Sequence, residues 1–398
     1  MSRLPVDRGW GIWSNLPMTI IGWLRHSSNR AQLPALALLG IAGFWGLFRS
    51  VHVLHIHSGG PTPTHDLYTY YSIWYVLSHR DCADIALRES LYFPHTWFVF
   101  TPLFILGWPT ARVVMFLINV AAVFYIWWRL SELAGLQGIR RWLLLAFFLS
   151  WSGTSNVIGL GNLALVSLAT MLAAYPFSSA KSGIYLALAA MKQSLVFPLF
   201  LHLLLKRSRA LIVPLTTFAL CGLAALWWAR LSFMEGLKLP KYWADSVGGW
   251  TAIDHTCLRR PLALFIGNKL AVSVVMWAIW FALFGITARR IKDPLAQLAA
   301  LLLLALLPMY HYEYDMIVAA PALAIFLKRC HLVWPASMTF FLSVALFWKL
   351  GSLMPAGVLP TLCEKLNQAY YPVLILCFLG GLVWLETRPP AQPAQGEP

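Results

Sequence analysis

With 398 residues, 59% of them hydrophobic and only 11% charged, and a mean hydropathy of +0.67, the chain lies far outside the soluble range, in which about a quarter of residues are charged. This composition predicts an all-α polytopic membrane protein and excludes an ordinary soluble enzyme. The formal charge of +15 does not point to nucleic acid, because a mostly apolar chain has no continuous basic face for a polyanion; positive cytoplasmic loops explain it, and an anionic lipid substrate would add to that.

Residues 1–32 carry Arg3, Arg8, Arg25 and Arg30 against one acid, Asp7, and read as a cytoplasmic lead. The apolar run from 33 to about 48 has no small-residue cleavage site after it, so it is expected to be a retained first span rather than a signal peptide. The loop after it is then extracytoplasmic. It opens with Gly59, Gly60, Pro61 and Pro63 and brings one acid, Asp66, into an aromatic segment. From Leu67 the apolar residues fall at Leu67, Tyr70, Tyr71, Trp74 and Tyr75, the spacing of one face of an interfacial helix. Asp66 has two readings: a catalytic base at a membrane boundary, or a first-turn acid that complements the helix dipole. Asp81, Asp84 and Glu89 sit among Arg80 and Arg88 in a run that reads as solvated.

Residues 91–109 are apolar but broken by Pro94, Pro102 and Pro109 and short for a crossing, so they are expected to form an interfacial or re-entrant piece. A span is expected over 112–128, closed by Arg129, Arg140 and Arg141 on the inside; the next, 142–158, rises to Gly159, Leu160, Gly161 and Asn162, and another descends to Lys181. From 183 to 205 two apolar halves flank Lys192, long together for one span and short for two. Half-helices that meet at an ionisable residue aim backbone ends and a charge at a ligand within membrane depth. Further spans are expected near 211–228, up to 286, and over 295–310, 316–327, 333–348 and 370–385, with a polar outside loop over 231–260. The total is about twelve crossings, within a range of about 10–13. The chain therefore divides into the lead 1–32, one membrane domain over 33–386 and a Pro- and Gln-rich tail, 387–398, expected to be disordered.

On this topology Asp66, His95, Arg112, Asn162, Lys192, Arg259, His311, Glu313 and Asp315 all face outward. Each has a structural alternative: a cap for Asn162, a turn residue for His95, a helix-end anchor for Arg112, a solvated charge for Arg259, snorkelling for Lys192. His311, Glu313 and Asp315 are metal-ligand types, but their spacing does not put all three on one helical face, and no metal is expected. The six cysteines make no CxxC pair and no metal spacing, which argues against a zinc or redox centre, and no cofactor is expected. Cys82, Cys257 and Cys363 fall in loops assigned outside, which leaves room for one disulfide of undetermined pairing. An acid and several cations in an outward cavity suit transfer of a sugar from a lipid-linked phosphate to a hydroxyl: the acid takes the proton and the cations steady the departing phosphate. One carboxylate suffices, because phosphate leaves without a proton donor, whereas hydrolysis of a glycosidic ether normally needs two.

The residues that carry a resemblance are Asp66-Leu-Tyr-Thr-Tyr-Tyr71 after the first span, Tyr92-Phe-Pro-His95 with Pro102-Leu-Phe104, Gly159-Leu-Gly-Asn162, and Lys192 after a small-residue helix. In these the chain resembles membrane glycosyltransferases of the GT-C fold, most closely glycosyltransferase family 87, which includes polyprenol-phosphate-mannose-dependent mannosyltransferases. It departs from the family pattern where His95 replaces a proline, Leu160 a glutamine and Gln193 a proline. The resemblance implies a GT-C-like bundle with interfacial helices in the first outside loop and a multi-pass place in the cell (inner) membrane with an extracytoplasmic active site. It implies an inverting transferase that uses a polyprenyl-phosphate sugar, mannose by likeness, and a lipid or glycan acceptor. Asp66 would be the base, and Lys192, His311, Asn162, Arg112, His95, Glu313 and Arg259 would be substrate-binding residues, with no metal and no nucleotide-sugar pocket. The competing classes are a transporter or lipid flippase, which shares the broken helix, and a surface-polysaccharide polymerase or ligase leaning on Arg259 and Arg260.

Overall fold

The computed structural model describes residues 66–79, 82–89, 92–239, 241–242, 257–308, 311, 313–330 and 358–387, with isolated positions 44, 48 and 51. The lead, the expected first span apart from Phe44 and Phe48, the expected span 333–348, half of the 231–260 loop and the tail beyond Thr387 lie outside the described residues. Among those described, every regular element is helical. In chain order they are α1 (Asp66–Ser78), α2 (Ala83–Glu89), α3 (Pro94–Phe104), α4 (Trp108–Ala134), α5 (Gly138–Ser150), α6 (Ser152–Leu160), α7 (Ala164–Ala174), α8 (Ala180–Ala189), α9 (Gln193–Leu205), α10 (Ile212–Trp228), α11 (Phe233–Gly236), α12 (Arg259–Ala263), α13 (Lys269–Arg290), α14 (Pro294–Ala305), α15 (Ala320–Arg329) and α16 (Val358–Thr387). Short 3-10 turns, Ala190–Lys192 and Glu313–Ala319, join α8 to α9 and lead into α15.

By length and composition five helices among the described residues are long and apolar enough to cross a membrane: Trp108–Ala134, Ala180–Leu205, Arg209–Trp228, Lys269–Arg290 and Ala369–Thr387. A sixth results if Gly138–Leu149 and Gly153–Leu160, bent by 55°, count as one span. The protein is therefore an all-α polytopic membrane protein.

Hydropathy reads Ala180–Leu205 as one crossing, yet its two ends touch. Ser208 Oγ donates to Phe177 O at 2.8 Å, and a Cβ on Gly183 would stand 2.6 Å from Ala210 O. A straight helix of 26 residues would hold those ends about 39 Å apart. The segment instead folds back at Lys192, whose φ of −111° and ψ of 75° leave the helical region. The sequence-based reading of two halves meeting at this lysine is thus the arrangement seen.

A second pair does the same. The spans expected over 295–310 and 316–327 are helices of only 12 and 10 residues, α14 and α15, and Arg329 at the end of α15 reaches Asp293 at the start of α14, 3.2 Å away. With α7 at 11 residues, α8 at 10 and α9 at 13, these arms measure roughly 15–20 Å, about half of the ~30 Å apolar layer. Arms of this length carry their polar turns about half the thickness of such a layer away from the ends where they start.

The arms start from one basic rim. Arg140 donates to Lys328 O at 2.7 Å, Lys206 to Gln297 Oε1 at 3.1 Å, and Arg329 to Glu386 Oε1 at 2.5 Å. At the other end α1, α2 and α3 form a layer over the start of α4 and the end of α10. Trp74 Nε1 donates to Thr101 Oγ1, Trp228 Nε1 donates to Leu77 O, and Trp108 packs on Tyr68 and Tyr71. Of the face expected for α1, Leu67 and Tyr70 are buried and Tyr71 and Trp74 are packed, but Tyr75 is exposed and lies on His79.

Cys82 is a free thiol and Cys257 is buried against Met276. Cys363 falls within α16, not in a loop as expected, because that helix begins at Val358.

Candidate active site

Three chain reversals and the first turn of α1 converge. Helix α6 ends at Gly161, whose φ of +70° is a left-handed cap that favours glycine. The same glycine admits its neighbour: a Cβ there would lie 2.7 Å from Leu67 Cβ, so its absence lets the start of α1 sit against the turn. Leu67, Leu163 and Met191, next in sequence to Asp66, Asn162 and Lys192, share one apolar cluster with Tyr70, Phe100 and Phe104. Packing of these neighbours sets the three polar side chains side by side.

Asp66 Oδ2 accepts hydrogen bonds from Asn162 Nδ2 at 2.7 Å and from the Tyr314 hydroxyl at 3.0 Å. Asn162 Oδ1 in turn accepts from Lys192 Nζ and from the Ala164 N–H, each at 2.8 Å. Lys192 Nζ donates to Asp315 Oδ1 at 2.5 Å and lies 5.5 Å from the centre of the Tyr314 ring. Asp315 Oδ2 faces His311 Nδ1 at 2.9 Å.

The two carboxylates differ. Asp315 is 2% exposed with both oxygens engaged, whereas Asp66 is half-buried with its hydrogen bonds to the described residues both on Oδ2, so that among the described residues Oδ1 is open. Asp66 belongs to α1, outside the crossing helices, and burial pushes its carboxyl above the ordinary carboxylate value, against the Lys192 charge and the bonds from Asn162 and Tyr314. Lys192 spends two of its three ammonium protons on Asn162 and Asp315. Among the described residues the result is one open carboxylate oxygen beside an almost fully buried cation.

Of the residues expected from sequence, the structure joins Asp66, Asn162, Lys192 and His311. His95 is buried in the α3 layer against Phe218 and Phe93, and burial lowers its imidazole to about 4, so it is neutral near pH 7. Arg112 lies over the Trp108 ring on α4. Arg259 opens α12, which is tied by the Leu258 N–H to Leu307 O near the loop leading to His311, and no contact of Arg259 with the cluster is present among the described residues. Glu313 starts the 3-10 turn; its side chain is outside what is described.

Two members were not among the substrate-binding residues expected from sequence: Tyr314, and Asp315, which was placed only in the outward-facing set. From sequence the stretch offers metal-ligand types whose spacing does not put all three on one helical face. The signal was the four-residue spacing of His311 and Asp315, which sets those two on one face even though Glu313 falls off it. Among the described residues no three His, Cys, Asp or Glu side chains group as a metal site.

Residues 91–321, more than half of the chain, match glycosyltransferase family 87. The chain belongs to glycosyltransferase family 87. No curated protein and no solved structure matches it. As a family 87 member it is a membrane glycosyltransferase, which takes a sugar donor and an acceptor. The matched stretch covers Asn162, Lys192, His311, Tyr314 and Asp315, while Asp66 precedes it and is tied to it by hydrogen bonds from Asn162 and Tyr314.

Proposed function

We propose that this glycosyltransferase moves a hexose, mannose by likeness, from a polyprenyl-phosphate donor to a hydroxyl of a lipid or glycan acceptor, on the extracytoplasmic side of the cell membrane. Asp66 is the general base. The observation that carries this reading is the contrast between the carboxylates: Asp315 is used up by Lys192 and His311, and Asp66 keeps Oδ1 open while Oδ2 is held.

In the step, the acceptor oxygen bonds to the anomeric carbon as the bond from that carbon to the phosphate oxygen breaks with its electron pair, and the hydroxyl proton passes to Asp66 Oδ1. Among the described residues Lys192 is the cation coupled to Asp66 through Asn162, and it serves the added charge on the departing phosphate, with two of its three ammonium protons hydrogen-bonded there. A raised carboxyl suits the task, since a base works best with a pKa nearer the working pH. Sidedness is supported by the rim of Arg140, Lys206, Lys328 and Arg329 at the far end of the arms, which the positive-inside rule assigns to the cytoplasm.

The test supplies membranes containing the chain with labelled polyprenyl-phosphate mannose and follows transfer to extractable acceptors. Wild type is expected to transfer and Asp66→Asn to lose about 10²–10⁴-fold in rate. Transfer undiminished in Asp66→Asn removes the base, and movement of the donor across the bilayer without transfer removes the enzyme.

A further inference from the structure

Sequence reasoning offers Asn162 as a substrate ligand, yet its amide is already committed. It is 2% exposed. Oδ1 takes two hydrogen bonds, from the Lys192 ammonium and from the Ala164 N–H, and only an oxygen can accept from both. The orientation of the amide follows from its partners: Nδ2 must face Asp66 Oδ2. Gly161, in its left-handed cap, carries Asn162 to this place on the chain.

We propose that Asn162 is a positioning residue: locked by Lys192 and the start of α7, its amide grips Asp66 Oδ2 and thereby makes Oδ1 the proton-accepting atom. This rests on the reading of Asp66 as base. It gives Lys192 a second task, that of fixing the base through one intervening amide, and it removes Asn162 from contact with the sugar. Among the described residues the charged and titratable groups that face Asp66 are Lys192 from the turn between α8 and α9, Tyr314 and Asp315 from the 3-10 turn before α15, and Tyr70 from its own helix. Asn162 is the neutral link between the first of these and the carboxylate.

The experiment compares wild type, Asn162→Ala and the isosteric Asn162→Asp in the full chain, in detergent and in vesicles. Asn162→Asp keeps the shape and gains an ion pair with Lys192, so it is the variant expected to fold if the alanine form does not. Expected are a fall in kcat of about 10–100-fold, with KM for labelled polyprenyl-phosphate mannose and for the acceptor within about twofold. The acid limb of the kcat profile should move to higher pH by about one unit, most in Asn162→Asp, where a second carboxylate faces the first. An infrared titration of the protonated carboxyl band, assigned by its loss in Asp66→Asn, should show the same upward move without need of turnover. A rise in KM with an unmoved acid limb makes Asn162 a substrate ligand and overturns the proposal, as does an unmoved infrared midpoint. If wild type transfers no mannose, the proposed function fails, and the infrared midpoint alone still decides the role of Asn162.

Discussion

The Lys192 ammonium lies 2.5 Å from Asp315 Oδ1, and this pair joins the turns of two helical hairpins whose arms begin and end at one basic rim. Both partners are almost fully buried, at 7% and 3% side-chain exposure. Such a pair is costly to break from one side, because the remaining charge is left without a partner in a dry site. Lys192→Met and Asp315→Ala should each lower stability by about 3–5 kcal/mol, and the double variant by clearly less than the sum. Denaturant unfolding of the four proteins in detergent checks this, and strict additivity would show that the two side chains do not interact.

The rate of transfer should fall on the acid side with a midpoint above the ordinary carboxylate value, since Asp66 works only when deprotonated and burial raises its carboxyl. Tyr314→Phe removes one of the two bonds on Oδ2 that favour the charged form. Its acid limb is therefore expected at still higher pH, with a loss of about 3–10-fold near neutral pH. A pH profile of kcat for both proteins measures the difference. An acid limb at the same pH in both would mean that the Tyr314 hydroxyl does not act on the base.

Gly161→Ala places a Cβ 2.7 Å from Leu67 Cβ and at a φ of +70°. The strain is about 1–2 kcal/mol, and the movement of Leu67 falls on Asp66 beside it. Activity should therefore drop by more than stability, and Leu67→Ala in the same chain should restore part of the activity by making room. Thermal unfolding and transfer rate, taken on the single and double variants, separate the two effects.

Sidedness can be read from labelling. In a chain whose native cysteines are replaced by serine, Lys206→Cys and Lys328→Cys, both on the rim, should react with an impermeant thiol reagent from the same face of sealed vesicles. Thr69→Cys, exposed on α1, should react from the opposite face. Labelling of positions 69 and 206 from one face would overturn the proposed sidedness.

Much of this protein was legible residue by residue. An 11% charged, strongly apolar chain with apolar runs long enough for helical crossings reads as a bundle of helices in lipid, where a helix satisfies its own backbone. Asp66 and Lys192 stood out for a local reason too: each is an ionisable residue beside apolar sequence, where charge is expensive unless it is used. The proline-broken 91–109 piece, read as too short to cross, holds the short α3, and its last two residues, Trp108 and Pro109, open α4.

What no local pattern contained was the way the arms return. The apolar residues of 180–205 satisfy the lipid equally well as one crossing or as two half-length arms, since hydropathy depends on composition and not on direction. The choice is made by contacts between residues distant in sequence, Ser208 on Phe177, Gly183 on Ala210, Arg329 on Asp293. Those same contacts decide which carboxylate is occupied. From sequence, Asp66 and Asp315 are two acids among tyrosines; only the meeting of the two turns consumes Asp315 and leaves one oxygen of Asp66 open.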